Sequence, residues 1–140
     1  MVLNKRRDVE NGLRALLAGT DRREAIQQLV PVMNPDDLVA VQREVLAVHV
    51  SDALLDYLQA LIAATRSGRW FVEGLSPRAG IAVLRVAKAR ALMAQRDYVA
   101  PDDVQAILPQ AIAHRLQPIP GAGRGAIEQV RAMVEATPIP

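Results

Sequence analysis

Helix starts recur along this sequence, and they constrain its fold more than any other feature. At several places a capping side chain or a proline suited to a first helical position is followed by apolar residues at spacings of three and four. These starts are Asn34-Pro35-Asp36-Asp37, Ser51, Ser76-Pro77 and Pro101-Asp102-Asp103. The pattern predicts an all-α fold, a small helical bundle of six or seven helices with little room for a sheet.

The apolar faces of these helices predict the core. The expected core residues are Leu54, Leu58, Leu61, Ile81, Leu84, Val104, Ile107 and Leu108. Further helical faces are predicted at Leu38, Val41 and Val45, at Ile127, Val130 and Val134, and at Val9, Leu13, Leu16 and Leu17. A capping box is also predicted at Asp21 and Glu24, before Ile26, Leu29 and Val30.

Composition supports helices and narrows the class of protein. Apolar residues make up 51% of the chain, but only four of its 140 residues are aromatic, which disfavours an all-β sandwich. The absence of cysteine excludes disulfides and cysteine-ligated metals, and it fits a reducing compartment. No apolar run approaches the roughly 20 residues that span a bilayer, and Met1–Asp8 is too polar for a signal peptide. We therefore expect a cytoplasmic protein without a membrane segment.

The charge pattern gives little support to a nucleic-acid partner. Seventeen Lys and Arg stand against 15 Asp and Glu, for a net charge of +2, and the basic residues occur mostly singly or beside acids. The longest helix does carry Arg78, Arg85, Lys88, Arg90 and Arg96, of which Arg78, Arg85 and Arg96 share roughly one face. A helical DNA-binding module therefore stays an alternative, as does a stand-alone protein-interaction bundle.

No catalytic centre or metal site can be assembled from the sequence. There is no cysteine nucleophile, and His49 and His114 lie in different predicted elements without a His-x-x-x-His pair. The segment Gly121-Ala-Gly-Arg-Gly125 is glycine-rich, but it lacks the preceding strand and the Gly-Lys-Ser/Thr ending of a phosphate-binding loop. We expect structural histidines and a flexible joint at this segment.

Arg78 is the residue whose position is hardest to explain by a purely structural role. It falls in the first turn of the longest predicted helix, where a cation opposes the helix dipole by about 0.3–1 kcal/mol. An arginine beside free backbone N–H groups strengthens an anion-binding site. It could equally pair with Glu73 or point into water, and the residues alone do not choose between these interpretations.

Several motifs, in order, give the chain a family resemblance. They are Leu29-Val-Pro-Val32, Val48-His-Val-Ser-Asp-Ala53, Ala64-Thr-Arg66, Gly74-Leu-Ser-Pro-Arg-Ala79, the stretch from Arg96-Asp-Tyr-Val99 to Val104, and Ala113-His-Arg-Leu116. Over about residues 18–117 the chain resembles the C-terminal lid of MoxR-type AAA+ ATPases, and it is similar to the lid of magnesium-chelatase ATPase subunits. Ala100 departs from the family pattern, which has threonine there, and loss of that cap should cost about 1 kcal/mol.

The resemblance implies a function and a site. In the family the lid closes over ATP held by an α/β core, and the arginine of the Ser-Pro-Arg motif is the sensor-2 residue that reaches the phosphates. Arg78, with Ser76 and Pro77, is then the expected nucleotide-binding site. ATP and Mg²⁺ would be held by a core that these residues do not include, so no catalytic residue and no ATP turnover are expected of them alone.

The same resemblance implies a domain organisation and partners. Residues 1–17 would form a helix leading from the AAA+ core, residues 18–117 the lid, and residues 118–140 a linker with a short helix. The expected partners are the AAA+ core, neighbouring subunits of a hexameric ring and a protein with a von Willebrand A domain. Such ATPases are chaperone-like: they remodel or activate other proteins. These residues alone are expected to be monomeric.

Overall fold

A computed structural model describes residues 26–139 and divides the chain into two compact units, at Pro35 and Asp36. Of the described residues before Pro35, only Ile26 and Gln27 are helical, and residues 26–35 are all exposed. Leu29 and Val30 are therefore not part of a helical face. The capping box at Asp21 and Glu24, and the helix with Val9, Leu13, Leu16 and Leu17, lie outside the described residues.

The second unit is helical, as predicted. Its α-helices are α1 (Pro35–Ala47), α2 (Asp52–Arg66), α3 (Pro77–Met93), α4 (Pro101–Ile112) and α5 (Ala126–Ala136), and a 3-10 turn (Ala113–Arg115) follows α4. Between residues 26 and 139 the β-structure consists of two isolated bridges, His49 with Tyr98 and Phe71 with Pro118. The all-α fold class is therefore confirmed.

Capping side chains set the starts of these helices. Ser51 and Ser76 each accept a hydrogen bond from the backbone N–H three residues later, at 3.2 and 3.3 Å. Ala100, before α4, has no side-chain acceptor, but the Asp103 carboxylate accepts the Ala100 N–H at 2.9 Å. Half of a capping box is thus retained at the position where threonine is missing.

Helices α2 to α5 enclose one core, and α3 turns a different face to it than predicted. Ile81 is 57% exposed, so its assignment to the core was wrong. The buried residues of α3 include Ala79, Val83, Ala87 and Ala91, a row with a spacing of four. Small side chains in such a row allow α4 to approach closely, because a ridge of small residues shortens the distance between helix axes.

The other predicted core residues are buried wholly or in part. The buried ones are Leu54, Leu58, Leu61, Val104 and Leu108, while Leu84 and Ile107 are partly buried against them. Helix α5 packs on α4 and α2 through Val130, Met133 and Val134, but Ile127 of its predicted face is 41% exposed.

Helix α1 differs from the rest because none of its residues is buried. Leu38 and Val41 of its predicted face are 48% and 38% exposed, and Val45 is half-buried. The Lys88 ammonium donates to the Leu46 carbonyl at 2.8 Å, which connects the end of α1 to α3. The apolar face of α1 is correctly periodic, but within the second unit it remains largely uncovered.

The loop between α2 and α3 is fixed from two sides. Phe71 is buried, the Val72 N–H donates to the Gln117 carbonyl at 2.9 Å, and the Ile119 N–H donates to the Trp70 carbonyl at 3.3 Å. The segment predicted as a linker after residue 117 therefore begins with backbone hydrogen bonds to this loop. The same loop leads directly into the start of α3.

Candidate functional site

The start of α3 presents Arg78 to solvent. Arg78 is the second residue of this helix, and its side chain is exposed. Within residues 26–139 both ion pairs involve Asp103, so Glu73 does not neutralise Arg78. Of the interpretations that the sequence left open, pairing with Glu73 is therefore excluded in the structure.

The backbone at this helix start leaves one donor free. Pro77 has no N–H, while the N–H groups of Ala79 and Gly80 both reach the Ser76 carbonyl, at 3.0 and 3.4 Å. The Arg78 N–H has no acceptor in the described part of the chain. A guanidinium and a free helix N–H thus belong to the same residue, at the positive end of a helix dipole.

Ser76 and Pro77 have structural roles here. The Ser76 hydroxyl oxygen caps α3 by accepting the Ala79 N–H, and Pro77 occupies the first helical position. Both residues are exposed. Both residues precede Arg78 and carry no charge. Their contact with a nucleotide stays a prediction.

The last turn of α2 holds Leu75, which precedes the cap residue of α3. Thr65 is 1% exposed, and its hydroxyl accepts the Leu75 N–H at 3.0 Å while it donates to the Ile62 carbonyl at 2.6 Å. The Arg66 Nε donates to the Leu75 carbonyl at 2.7 Å. Both polar backbone groups of Leu75 are therefore held by two consecutive side chains of α2. The sequence pattern placed Ala64-Thr-Arg66 within a motif but did not predict this contact.

An apolar groove lies beside the start of α3. It has a volume of about 380 Å³ and runs between α2 and α3, with Leu55, Ile62, Pro77 and Ile81 among its lining residues. Arg66 also lines it. This explains the exposure of Ile81: the residue lines a surface groove instead of the core.

The other cations of α3 and the turn after it are mostly engaged within the fold. Arg96 follows the helix end and holds the buried Asp103 carboxylate through two hydrogen bonds of 2.7 and 2.6 Å. Arg90 lies 3.4 Å from the same carboxylate, and Lys88 is bonded to Leu46. The predicted common face of Arg78, Arg85 and Arg96 is therefore wrong, because Arg96 lies beyond the helix and is committed to Asp103.

The histidines and the glycine-rich segment have no ligand-binding geometry. No group of three or more potential metal ligands occurs between residues 26 and 139. His49 takes part in the bridge to Tyr98, and the His114 Nε2 accepts a hydrogen bond from Arg115 at 3.1 Å. Gly121 and Gly123 adopt positive φ angles of 83° and 64° in the turn before α5, a conformation that favours glycine.

Comparison with known proteins gives this geometry a family context. The family described as "AAA lid domain" matches residues 63–136. An uncharacterized protein of Bacillus subtilis, YeaC, is 34% identical over 128 residues, which are 89% of this chain and 40% of that protein. The chaperone MoxR1 of Mycobacterium tuberculosis is 33% identical over 98 residues, 64% of this chain and 26% of that protein.

A solved structure agrees with these relatives. The crystal structure of a candidate ATPase from Cytophaga hutchinsonii superposes with a TM-score of 0.69 at 27% identity, over 75% of this chain and 36% of that one. The present chain thus spans 40% or less of the length of each of these three proteins. No helix within the described range is both long and apolar enough to cross a membrane.

Proposed function

The chain belongs to the AAA lid domain family, as the C-terminal lid of a MoxR-type AAA+ ATPase, and on this basis we propose that it closes over ATP bound by an AAA+ core, with Arg78 as the sensor-2 residue. One observation carries the assignment to Arg78: its guanidinium is exposed and unpaired within residues 26–139 although it lies against the helix dipole. A ligand anion would remove that unfavourable interaction.

The described residues fit a contact with a phosphate and do not fit a complete nucleotide site. Arg78 offers a guanidinium and a backbone N–H, both of which suit a phosphate oxygen, and the groove beside Pro77 offers an apolar surface. No cluster of acids that could hold Mg²⁺ is found in the part of the chain that the structure covers. The Mg²⁺ ligands and the phosphate-binding loop would therefore come from the core.

The test is a pair of arginine variants in the polypeptide that contains this lid together with its core. Hydrogen bonds to charged groups are worth about 1.5–3 kcal/mol, so we expect Arg78→Ala to lower ATP turnover or nucleotide affinity by about ten- to 100-fold. Arg85→Ala is the matched control, since Arg85 is also exposed on α3 but lies two turns from the helix start. It should change neither quantity.

Stability separates a functional arginine from a structural one. Because the charge of Arg78 opposes the helix dipole, Arg78→Ala should leave the melting temperature of the 140-residue chain unchanged or slightly higher. If Arg78→Ala melts this chain at a clearly lower temperature while the complete ATPase, still folded, hydrolyses ATP normally, the residue is structural and the proposed site is wrong.

The lid is further proposed to couple hydrolysis to chaperone-like remodelling or activation of a partner protein. The relative named as a chaperone supports this proposal. A hexameric ring with neighbouring subunits, a partner with a von Willebrand A domain and a cytoplasmic location belong to the same proposal. Sedimentation of the complete ATPase, with and without ATP, would test the hexameric ring.

A DNA-binding module is the alternative from another class. The structure gives it little support, because Arg96, Arg90 and Lys88 each have a partner within the fold. A mobility shift with duplex DNA that weakens steeply with salt would favour this alternative. We expect no such shift.

A further inference from the structure

Thr65 and Arg66 hold the peptide that leads into the sensor-2 helix. We propose that these two residues are positioning residues for Arg78: they fix the entry of α3 and thereby the place of the guanidinium relative to a bound nucleotide. This inference rests on the proposed sensor-2 function and adds two residues that act through Arg78.

The two hydrogen bonds act on one residue of the loop. The Leu75 N–H is accepted by the Thr65 hydroxyl at 3.0 Å, and the Leu75 carbonyl accepts the Arg66 Nε at 2.7 Å. Leu75 immediately precedes the cap residue Ser76 and is only 5% exposed. Both backbone polar groups of Leu75 are therefore bonded to α2 just before α3 begins. Arg78 follows Leu75 by three residues.

The holding groups are themselves fixed. The Thr65 hydroxyl donates to the Ile62 carbonyl at 2.6 Å, so its rotamer is set by α2. Gly74 packs so closely on α2 that an added Cβ would overlap the Arg66 Cγ and come within 2.8 Å of the Arg66 Cα and 2.9 Å of its N. A glycine is needed there because these neighbours are backbone atoms as well as side-chain atoms.

The arrangement suits positioning more than simple stability. A loop could satisfy the Leu75 backbone with water, but that would leave the entry angle of α3 free to vary. Misplacement of a phosphate-contacting group by about 1 Å can cost up to about 100-fold in rate. Residues behind a ligand-contacting group hold it in place through packing and hydrogen bonds, and Thr65 and Arg66 would do this for Arg78.

The first experiment compares Thr65→Val with Thr65→Ser. Valine keeps the shape of threonine and removes the hydroxyl, whereas serine keeps the hydroxyl. In the 140-residue chain, we expect the Leu75 amide to exchange slowly with deuterium in the wild type and in Thr65→Ser, and quickly in Thr65→Val. Equal protection of Leu75 in all three proteins would overturn the proposal, because the contact would then not hold this peptide.

The second experiment is a double-mutant cycle on ATP turnover in the polypeptide with its core. Thr65→Val alone should lower turnover by about tenfold or more, and never by more than Arg78→Ala. Added to Arg78→Ala, it should lower turnover by less than about twofold further, because two residues acting through one contact are not additive. Thr65→Ser should restore most of the wild-type rate.

A second variant tests the same proposal if Thr65→Val does not fold. Arg66→Met keeps the aliphatic stem of an exposed side chain and removes the donor to Leu75, and Arg85→Met controls for the loss of a charge. Arg66→Met should repeat the non-additive result, and Arg85→Met should match the wild type.

The outcomes separate the two proposals. If Arg78→Ala lowers turnover but Thr65→Val and Arg66→Met add their full effects to it, the positioning role is wrong and the sensor-2 role stands. If Arg78→Ala has no effect on turnover or nucleotide affinity, the proposed function itself fails, and the positioning role fails with it.

Discussion

Asp103 is the acid on which the turn between α3 and α4 depends. Asp103 is 1% exposed, yet its carboxylate accepts hydrogen bonds from both terminal nitrogens of Arg96 and from the Ala100 N–H. The hydrogen bond from Arg96 lowers the pKa of Asp103 below its ordinary value, and the Ala100 N–H acts in the same direction against the effect of burial. The same bond raises the pKa of Arg96.

The lowered pKa of Asp103 predicts how stability depends on pH. A carboxyl with a lower pKa in the folded state contributes stability that is fully present above its unfolded value, about 3.9, and is lost as the pH falls through the folded value. Asp103→Asn should therefore lower the melting temperature at pH 7 and flatten its decline below about pH 4. Thermal melts between about pH 3 and pH 7 would measure both effects.

Asp102→Asn is the control for this prediction. Asp102 lies in the same first turn of α4 but is exposed and forms no ion pair between residues 26 and 139. Its substitution should leave the pH dependence nearly as steep as in the wild type. If both variants gave the same curve, the buried ion pair would not be the source of the acid sensitivity.

The elements show which parts of the fold the sequence could predict. The helix starts were predictable because capping is local: Ser51, Ser76 and Pro101 act on backbone groups within a few residues. The face of α3 was not, because large apolar residues such as Ile81 look like core residues, whereas the buried row is made of Ala79, Val83, Ala87 and Ala91. Which row is buried depends on how closely α4 approaches.

The candidate site was predictable only in part for the same reason. Arg78 stood out because its position breaks a local rule, a cation in a first helical turn. The contact between Thr65 and Leu75 joins residues ten apart across an irregular loop, and no periodicity predicts it. The helix α1 was predicted, but Leu38 and Val41 of its apolar face are exposed, because periodicity does not determine whether a face is covered.

The corrected face of α3 makes a prediction at the scale of the helix. Val83 is 2% exposed and Ile81 is 57% exposed, two residues apart on the same helix. Val83→Ala should destabilise the chain by about 1.5 kcal/mol or more, since it removes buried methyl groups and leaves a cavity. Ile81→Ala should change the free energy of unfolding by no more than about 0.5 kcal/mol.

Urea unfolding of the two variants would measure this difference. Both substitutions replace a β-branched residue of α3 by alanine, so their effects on helix propensity are similar. The comparison therefore measures the effect of burial. A larger loss of stability in Ile81→Ala than in Val83→Ala would show that α3 packs by the face predicted from the sequence.

At the scale of the whole molecule, the proposed function divides between this lid and an AAA+ core. Within residues 26–139, the proposed function assigns one charged side chain to a nucleotide, Arg78, whereas other polar groups hold the fold: Asp103 with Arg96, Thr65 with Leu75, Lys88 with Leu46. In the proposed role, the lid would sense a nucleotide that the core binds. Activating water and neutralising three phosphates require groups that would come from the core.

This division predicts the behaviour of the 140 residues by themselves. A pure sample should show no steady ATP turnover and weak or no ATP binding, because a single phosphate contact cannot replace a phosphate-binding loop and Mg²⁺ ligands. The measurement is phosphate release over hours, with isothermal titration for binding, on the wild type and on Arg78→Ala. Sedimentation of the same sample should give a monomer, since ring assembly is expected to depend on the core. Turnover that is present in the wild type and disappears in Arg78→Ala would place a catalytic centre within this chain and contradict its assignment as a lid alone.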